Sequence, residues 1–447
     1  MAFEPKEEQK ELKYEELRIY SDEELNNYTE EELKNFKSKH DIPMCEDLES
    51  GPWPSFVADA KREALHRRKL ADDRMMIERD VVEDLLGQLE ISFEHGETHW
   101  KHGGIVGVMG YGGGVIGRYS DLQEEYPAIA HFHTLRVNQP AGWFYTSEAL
   151  TTICDIWDRH GSGLTNMHGS TGDIILLGTT TAELEPTFEE LTANDFDLGG
   201  SGSNVRTPSC CVGQARCEWA CYDAMDACHD ITMTFQDELH RPFFPYKFKF
   251  KFSGCPNDCV ASIARSDMSI IGTWRDDIRI DQDEVRAAAE NGMNIERDIC
   301  GNCPTKCMEW DGTELAIDDS NCVKCMHCIN AMPKALRPGV DTGATVLVGS
   351  KAPIVEGAQL SSVLIPFTKM EAPYDEIKDL AERIWDFWGE HGKNRERVGE
   401  LMQRVGLGNF LEEIDLEPIP EMVAYPRDNP YVFYDEYYEE EEEDDEE

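Results

Sequence analysis

The sequence lacks any run of about 18 apolar residues, so it predicts no membrane-spanning helix. Its first residues are charged and contain no apolar core, which argues against a secretory signal peptide. Basic residues are scarce, because 42 Lys and Arg stand against 89 Asp and Glu and leave a formal net charge of -47. A chain this acidic repels phosphates, so we expect a cytoplasmic protein without a nucleic acid partner.

Much of the acidic excess lies at the two ends of the chain. Residues 1–49 form a glutamate-rich leader, and residues 439–447 form an unbroken acidic run. Such segments bury too little apolar surface to pack, so we expect a peripheral arm and a solvated tail. Between them, a chain with 40% hydrophobic residues is long enough to build more than one domain.

Local patterns predict individual elements of the fold. The apolar run 174–177 predicts a buried strand. Apolar residues at a helical period from Ile377 to Trp388 predict a helix that packs on the core and stops at Gly389.

Glycines and branched apolar residues alternate over residues 105–116, which favours strand and tight turn over helix. Three glycines here match the G-x-G-x-x-G spacing of dinucleotide sites, at Gly112, Gly114 and Gly117. The match is weak, because Pro127 interrupts the helix that such a site needs. In addition, Arg136 stands where an acid for the ribose is expected.

The fifteen cysteines of an unexported chain point to metal ligands, since cytosolic thiols stay reduced. The first group consists of two short pairs, Cys211 with Cys217 and Cys255 with Cys259. Two such pairs suit a cubane [4Fe-4S] cluster, in which each of four irons takes one thiolate. Zinc and a set of buried unligated thiols are the alternatives, although the gap of five residues in the first pair is unusual for zinc.

The second group follows the ferredoxin spacing C-x2-C-x2-C, at Cys322, Cys325 and Cys328. Met332 stands where a bacterial ferredoxin has its fourth cysteine, and a Cys303-Pro304 pair lies upstream. We interpret this as a ferredoxin-like module that keeps one [4Fe-4S] cluster, with Cys303 as the remote ligand. Cys307 competes with Cys303 for that role, and zinc is again the alternative.

Seven cysteines do not belong to these two ligand sets. We assign them to packing, since a buried thiol behaves as a small apolar side chain. They are Cys45, Cys154, Cys210, Cys221, Cys228, Cys300 and Cys307.

A basic segment leads into the second cysteine pair. Residues 246–252 alternate strictly, so a strand places Tyr246 and three phenylalanines on one face and Lys247, Lys249 and Lys251 on the other. Three ammonium groups on one face need counter-charge, so an anion or an acidic surface must face them. An edge strand with its lysines in water is the alternative.

The two cysteine pairs, with Pro256 and Asn257 inside the second, resemble the cluster motif of siroheme-dependent sulfite and nitrite reductases. Further stretches narrow the resemblance to the alpha subunits of dissimilatory sulfite reductases. They are GPWPSF at 51–56, THWKHGGIV at 98–106, TNMHGSTGD at 165–173 and GEHGKNRER at 389–397. The resemblance covers residues 51–435 and leaves out only the acidic ends.

The resemblance implies the roles of individual residues. The sulfite-handling residues that it implies are Arg136, Arg206, Lys247 and Lys249. The siroheme-binding residues are Arg118, His168, Ser170, Thr171, Lys251 and Cys259, and Cys259 also bridges a cluster iron to the siroheme iron. The metal ligands are Cys211, Cys217, Cys255, Cys259, Cys303, Cys322, Cys325 and Cys328. His133 is a further candidate, with a structural role as its alternative.

The resemblance also implies an α+β fold of mixed sheets flanked by helices, with an inserted ferredoxin-like domain. We expect six segments. They are an acidic arm (1–50), a ferredoxin-like half-domain (51–150), a siroheme and [4Fe-4S] binding domain (151–290), an inserted ferredoxin-like [4Fe-4S] domain (291–340), a C-terminal helical part (341–438) and an acidic tail (439–447).

The function implied is the six-electron reduction of sulfite to sulfide, or to sulfur bound on a carrier, and some members of the family run in reverse. The cofactors implied are siroheme and two [4Fe-4S] clusters. The partners are a beta subunit in an alpha2beta2 heterotetramer and a small cysteine-bearing sulfur carrier protein. Two rivals stay open: a non-catalytic electron-transfer subunit with two clusters, and an assimilatory sulfite or nitrite reductase.

Overall fold

A computed structural model describes residues 29–35, 39, 54–69, 75–104, 106–138, 144–169, 171–352 and 359–422. Ser170, Cys45, most of the acidic leader and the acidic tail lie outside the described residues. Within the described part, none of the helices is both long and apolar enough to cross a membrane.

Helices and strands are interleaved along the described part of the chain, which confirms the expected α+β class. In chain order the helices are α1 (Glu30–Lys34), α2 (Pro54–Lys69), α3 (Val81–His95), α4 (Ser147–His160), α5 (Leu184–Ala193), α6 (Ala224–Thr234), α7 (Gln236–His240), α8 (Ser262–Arg265), α9 (Gln282–Glu290), α10 (His327–Ala331), α11 (Asp375–His391), α12 (Val398–Val405) and α13 (Leu407–Glu413).

The strands are numbered in the same way. They are β1 (Trp100–His102), β2 (Val115–Ile116), β3 (Arg118–Ser120), β4 (His133–Val137), β5 (Thr165–Met167), β6 (Ile174–Thr179), β7 (Ser209–Cys210), β8 (Phe250–Ser253), β9 (Met268–Trp274), β10 (Arg279–Ile280), β11 (Met308–Trp310), β12 (Leu315–Ile317), β13 (Leu336–Arg337), β14 (Thr342–Val348) and β15 (Ser362–Thr368).

The N-terminal half is built on a four-stranded antiparallel sheet in the order β2-β4-β6-β5. The predicted strand at 174–177 lies within β6, which is flanked on both sides and almost fully buried, so this prediction is confirmed. The glycines of the run 105–116 lead into β2 and β3 rather than into a helix. The chain therefore turns here as predicted, without the strand-to-helix turn that a dinucleotide site needs.

The C-terminal half is built on a mixed five-stranded sheet in the order β15-β14-β9-β8-β7. β8 pairs in parallel with both β7 and β9, and β14 runs antiparallel to β9 and β15. The aromatic side chains of β8 pack on α6 and α11 in the largest buried cluster of the described residues. This sheet places the residues of both cysteine pairs and of the lysine segment side by side.

The helix predicted from Ile377 is α11, and its buried residues include Ile377, Leu380, Ala381, Ile384 and Trp388. The predicted stop at Gly389 is wrong, because the helix continues through it to His391. Its first turn carries Asp375 and Glu376 and its last turn carries His391, which suits the helix dipole at both ends. Gly392, the residue after that histidine, caps the helix.

The segment between β9 and β14 lies outside the five-stranded sheet and forms a unit of its own. It carries α9, α10 and the two-stranded ladders β10-β13 and β11-β12. Its buried residues, among them Ile299, Ile329 and Leu336, form a cluster apart from the main core. The second cysteine group thus belongs to a small unit inserted between two neighbouring strands, and its exact domain limits stay a prediction.

Candidate active site

The lysine segment lies in the interior of the five-stranded sheet. Regular pairing begins at Phe250, and Phe248 makes a single bridge to Val205, so the strand is shorter than the predicted 246–252. Phe248 and Phe250 are buried in the core, as the alternation predicts. Since β8 lies between β7 and β9, the alternative of an edge strand with lysines in water is wrong.

The opposite face of this sheet is polar although it is buried. Ser209 on β7, Lys251 on β8 and Ser269 on β9 are register partners, so their side chains point to the same side. Asp267 and Lys249, just before these strands, extend that side toward the four-stranded sheet. A polar face of this kind is stable only if its groups find partners or bind a polar ligand.

Four cations predicted as sulfite-handling residues come together at the end of this polar face. Burial lowers the pKa of Arg206, and the nearby charge of Arg136 lowers it further. Burial also lowers the pKa of Lys249 to about 7, with Lys247 among the positive neighbours that add to the effect. Burial lowers the pKa of Lys247 as well, and Arg206 again contributes. These side chains, which we call the cation cluster, therefore repel one another inside the chain and favour an anion.

A hydrogen-bonded chain links the cation cluster to the turn between β5 and β6. Arg136 Nη1 forms a buried ion pair with Asp173 Oδ2 at 2.8 Å and also donates to Thr171 Oγ1 at 3.3 Å. The Thr171 hydroxyl donates to Asp173, so it accepts from His168 Nδ1 at 2.6 Å. Burial, followed by the charge of Arg136, lowers the pKa of His168 to about 4. His168 is thus neutral at pH 7, with Nε2 as an acceptor.

Sequence reasoning missed a second buried ion pair, between Asp267 and Arg397, which contacts the backbone of Lys249. Asp267 is fully buried and accepts from Arg397 at 2.8 and 2.6 Å and from the backbone N–H of Lys249 at 2.9 Å. Arg397 lies at the start of α12, where it shares a capping box with Glu400. The separation of 130 residues between the partners leaves no local sequence signal for this contact.

Tyr246 lies at the outer end of the same region. Lys247 Nζ is 5.0 Å from the centre of its ring and the Arg395 guanidinium is 5.5 Å from it. Although burial works in the other direction, these two cations lower the pKa of the Tyr246 phenol. The alternation predicts Tyr246 on the same face as the phenylalanines. Tyr246 is half-buried, packs against the main core cluster and also lies beside these cations.

The remaining predicted siroheme residues have other neighbours. Lys251 is 1% exposed, and burial lowers its pKa to about 8, against the nearby charge of Asp258. Arg118 lies on β3, with Nη1 at 3.5 Å from His102 Nε2. His133 accepts from the backbone N–H of Arg118 at 3.1 Å and contacts Thr181 through its other nitrogen at 2.8 Å. Both ring nitrogens of His133 therefore have protein partners, which favours its structural role.

The first thiol set comprises Cys211, Cys217, Cys255 and Cys259. Cys211 follows β7 and Cys255 follows β8, so parallel pairing brings the ends of the two cysteine pairs together. Burial raises the pKa of Cys255 to about 11, and the thiols of Cys217, Cys259 and Cys211 are close enough to contribute. The four predicted ligands of the first cluster therefore share one electrostatic environment.

Close backbone approach shapes the rim of the first thiol set. The backbone N–H of Gly254 donates to Cys211 Sγ at 3.1 Å. A Cβ on Gly254 would lie 3.3 Å from this sulfur, and a Cβ on Gly272 would lie 2.1 Å from the Gly254 carbonyl oxygen. Glycine at these two positions keeps space next to the thiols that any other residue would fill.

The second thiol set lines a cavity in the inserted unit. The cysteines at this cavity are Cys303, Cys307, Cys322, Cys325 and Cys328. Burial raises the pKa of Cys328 to about 12, and Cys322, Cys325 and Cys303 contribute to the shift. Apolar side chains such as Ile299 and Ile329 also line the cavity, together with Thr305, Lys324 and His327.

Cys303 and Cys307 both reach this cavity, with their sulfurs 3.5 Å apart. Burial opposes the charged form of Cys303, but hydrogen bonds from the backbone N–H groups of Cys307 and Thr305 outweigh it and lower its pKa. Burial raises the pKa of Cys307 to about 11. The packing role assigned to Cys307 is therefore incomplete, since its thiol faces the same space as the predicted ligands.

The two thiol sets are joined by a reciprocal pair of amide hydrogen bonds. Asn257, inside the second pair of the first set, donates to Asn330 at 3.1 Å and accepts from it at 2.7 Å. Asn330 is two residues after Cys328 of the second set. Cys255 also belongs to the apolar cluster that contains the second set.

The cysteines assigned to packing fall into different environments. Cys210 and Cys228 are buried in the main core, and Cys221 and Cys300 are buried beside the thiol sets. Cys154 on α4 is exposed, so packing within this chain does not explain it.

Among the described residues, no group of three His, Cys, Asp or Glu side chains is close enough to hold one metal ion.

Two family models match this chain. The model described as the nitrite and sulphite reductase 4Fe-4S domain matches residues 201–420, which contain both thiol sets and three of the four residues of the cation cluster. The model described as the nitrite/sulfite reductase ferredoxin-like half domain matches residues 128–194, which contain Arg136 and His168.

Known proteins resemble the chain over most of its length. The alpha subunit of the dissimilatory-type sulfite reductase of Nitratidesulfovibrio vulgaris is 57% identical, over 89% of this chain and 95% of the relative. The alpha subunit from Allochromatium vinosum is 46% identical over the same shares. The crystal structure of dissimilatory sulfite reductase I matches with a TM-score of 0.81 and 56% identity, over 89% of this chain and 95% of the solved chain.

Proposed function

Because this chain belongs to the dissimilatory-type sulfite reductase alpha subunits, we propose that it takes part in reducing sulfite to sulfide at a siroheme coupled to a [4Fe-4S] cluster. The overall reaction is HSO3⁻ + 6 e⁻ + 6 H⁺ → HS⁻ + 3 H2O. The observation that carries this proposal is the cation cluster. It gathers Arg136 with Arg206, Lys247 and Lys249, which lie just before β7 and β8, the two strands that the cysteines of the first thiol set follow.

The residues of the site fit a large polyanionic group. Three buried donor groups of this region have no hydrogen-bond partner among the described residues: Arg136 Nε, Thr207 Oγ1 and Ser209 Oγ. Such atoms are costly unless a ligand satisfies them. The carboxylates of a siroheme supply acceptors for the buried cations and hydroxyls, and the first thiol set supplies four sulfurs for a cubane.

When bound, these groups supply electrons one at a time and an iron that binds sulfur. The side chains of the chain bind the anion and donate protons. Lys247 and Lys249 pair with the sulfite oxygens and lower the cost of bringing an anion out of water. Each ammonium can also donate a proton when an oxygen leaves as water. Arg136 and Arg206 hold the anion in place, because a guanidinium presents several donors in a fixed planar arrangement.

Two supports keep these cations in position. The Asp267–Arg397 pair fixes the backbone of Lys249, and Asp173 fixes the guanidinium of Arg136. A buried ion pair holds its geometry because breaking it leaves an unpaired charge inside the protein.

We further propose two [4Fe-4S] clusters in this chain, the second held by Cys322, Cys325, Cys328 and Cys303. We also propose an alpha2beta2 assembly, a cytoplasmic location and a small cysteine-bearing sulfur carrier as partner. The beta subunit from Archaeoglobus fulgidus is 24% identical to this chain. Large exposed apolar side chains, such as Met109, Phe144 and Phe243, suit burial against such a partner.

The test uses the complex with its co-purifying partner, isolated without oxygen. A chlorin-type visible band that shifts with sulfite supports the proposal, together with about nine irons for the alpha chain, eight from two cubanes and one from the siroheme. Lys249→Gln in the alpha subunit then decides whether this chain's own pocket turns over. Loss of activity places catalysis at this cation cluster, whereas unchanged activity leaves this chain a structural siroheme or electron-transfer role. Iron and labile sulfide without any chlorin band would contradict the siroheme site.

A further inference from the structure

Cys259 differs from the other three thiols of the first set in its exposure. Cys255 is buried, Cys211 and Cys217 are partly buried, and Cys259 is exposed. An exposed side chain is not held by packing on all sides. The direction of the Cys259 thiol therefore depends on how firmly the backbone around it is held.

The backbone around Cys259 consists of two successive turns that share Asp258. The Asp258 N–H donates to the Cys255 carbonyl oxygen at 3.1 Å, and the Ala261 N–H donates to the Asp258 carbonyl oxygen at 2.8 Å. The φ angles of Asp258 and Ala261 are 45° and 51°. This left-handed backbone is unfavourable for a residue with a Cβ, although aspartate tolerates it better than most. The loop therefore needs contacts that hold it in this shape.

The side chain of Asp258 supplies such contacts. Its Oδ1 accepts from the backbone N–H of Ser262 at 2.8 Å and from the Ser262 hydroxyl at 2.6 Å. Its Oδ2 accepts from the backbone N–H of Ile263 at 3.0 Å. Both carboxylate oxygens thus bind the start of α8, on the far side of Cys259 from the first turn.

Ser262 connects this loop to the five-stranded sheet. Ser262 is fully buried, and its carbonyl oxygen accepts from Ser266 Oγ at 2.8 Å and from Ser269 Oγ at 2.7 Å. Ser269 lies on β9, in register with Lys251 of the interior strand β8. A continuous series of hydrogen bonds therefore runs from the polar face of the sheet through Ser262 to Asp258.

We propose that Asp258 is a positioning residue for Cys259, which holds the loop so that this exposed thiol stays directed at the first cluster. The proposal deepens the function proposed above and rests on it, because a cluster that passes electrons one after another must keep all its ligands through each change of charge. Groups that orient a metal ligand without binding the metal typically contribute roughly 10- to 100-fold to metal affinity or activity.

The experiment uses the holoenzyme complex, purified without oxygen, with three variants of this chain. Asp258→Ala removes both acceptor oxygens. Asp258→Asn keeps one acceptor oxygen and the tolerance of left-handed backbone. Asp311→Ala is the matched control, because Asp311 Oδ1 also accepts from two backbone N–H groups and a hydroxyl, at 2.7, 2.7 and 2.8 Å, but in the β11-β12 hairpin.

Two readouts follow the first cluster without measuring turnover. One is the rate at which iron passes to a ferrous chelator, and the other is the electron paramagnetic resonance signal that Cys255→Ser lacks. We expect Asp258→Ala to release about four irons roughly 10- to 100-fold faster than the unmodified complex and to change this signal. Asp258→Asn and Asp311→Ala should release iron at the unmodified rate, and the signal of the second cluster should be the same in every variant.

Fast iron release in Asp258→Ala that Asp258→Asn reverses supports the positioning role. Equal rates in Asp258→Ala and Asp311→Ala overturn it, and so does equal loss from both clusters, which a general loss of the fold causes. Release from Asp258→Asn as fast as from Asp258→Ala also overturns it, since the acceptor oxygen then has no effect. A missing chlorin band in the unmodified complex refutes the siroheme site instead, and the iron release rates still decide the role of Asp258.

Discussion

The two thiol sets are held by the same chain but in contrasting surroundings. The cysteines of the first set follow two neighbouring strands of the five-stranded sheet. Buried lysines and arginines lie on the polar face of the same sheet. The second set is carried by loops of the inserted unit, opens into an apolar cavity and leaves Cys325 exposed. Cysteine thiols therefore occur in this chain both beside buried cations and close to the protein surface.

The difference in surroundings suits the tasks proposed for the two sites, which are anion chemistry at the first and electron entry at the second. Anion chemistry needs desolvated cations on rigid elements, because charges in a low-dielectric site act more strongly than in water. Electron entry needs a short path to solvent and a surface that a partner can reach. The amide pair Asn257–Asn330 connects the two sites, so they are separate in environment but fixed in relation to one another.

The largest effect is expected when a ligand of the first thiol set is removed. We expect Cys255→Ser to abolish sulfite reduction with every electron donor and to lose about four irons per chain, because a cubane needs four thiolates. Iron and labile-sulfide analysis of the anaerobically purified complex measures the loss. Cys210→Ala, a buried thiol beside Cys211, is the matched control and should keep its iron. Full iron content in Cys255→Ser contradicts the ligand assignment.

Next in size is the effect of removing a charge from the cation cluster. We expect Lys249→Gln to lower kcat by about 10²- to 10³-fold with iron unchanged, as for other groups that stabilise a developing charge. Steady-state kinetics with a dithionite-reduced dye measures it, and Lys393→Gln is the control. An unchanged kcat would remove Lys249 from the mechanism.

The pH dependence sharpens the same point. Burial lowers the pKa of Lys249 to about 7 in this chain, so its ammonium form prevails below that pH and is lost above it. Bound anions raise this pKa, so we expect kcat/KM to fall on the alkaline side of pH 7. Lys249→Arg stays charged and should flatten the fall. An identical alkaline limb in both proteins would assign it to another group.

A smaller loss is expected in the second thiol set. Cys303→Ser should lose the irons of this set only, whereas Cys307→Ser should keep them. Electron paramagnetic resonance of the dithionite-reduced variants, with iron counts, distinguishes the two. The reverse result makes Cys307 the remote ligand, and loss in both variants makes the 3.5 Å pair a joint requirement.

The smallest effect concerns the contact between the two sites. We expect Asn257→Ala and Asn330→Ala each to cost about 0.5–1.5 kcal/mol in the free energy of unfolding, since each removes both bonds of an exposed pair. The double variant should cost little more than either single one, as thermal unfolding can measure. Asn257→Ala combined with the distant Asn409→Ala should be additive. Additivity in the first pair would mean that the amides do not act together.

Much of this architecture is readable from local pattern. The buried strand at 174–177, the core helix from Ile377 and the mixed fold class follow from periodicity and are confirmed. The helix end at Gly389 is not, because a single glycine costs only about 1 kcal/mol in a helix and the packing of α11 outweighs it. The apolar period therefore predicts that this helix exists more accurately than it predicts where the helix ends.

The sequence by itself determined which residue types could carry the chemistry: thiols at cluster spacing and lysines at a strand period. Only folding shows that β8 is an interior strand, that Asp267 meets Arg397 across 130 residues, and that Lys251 has Asp258 and Arg265 as charged neighbours. The physical reason is that spacing and periodicity act over a few residues. Burial and charge pairing arise between segments that are distant in sequence and meet only when the chain folds.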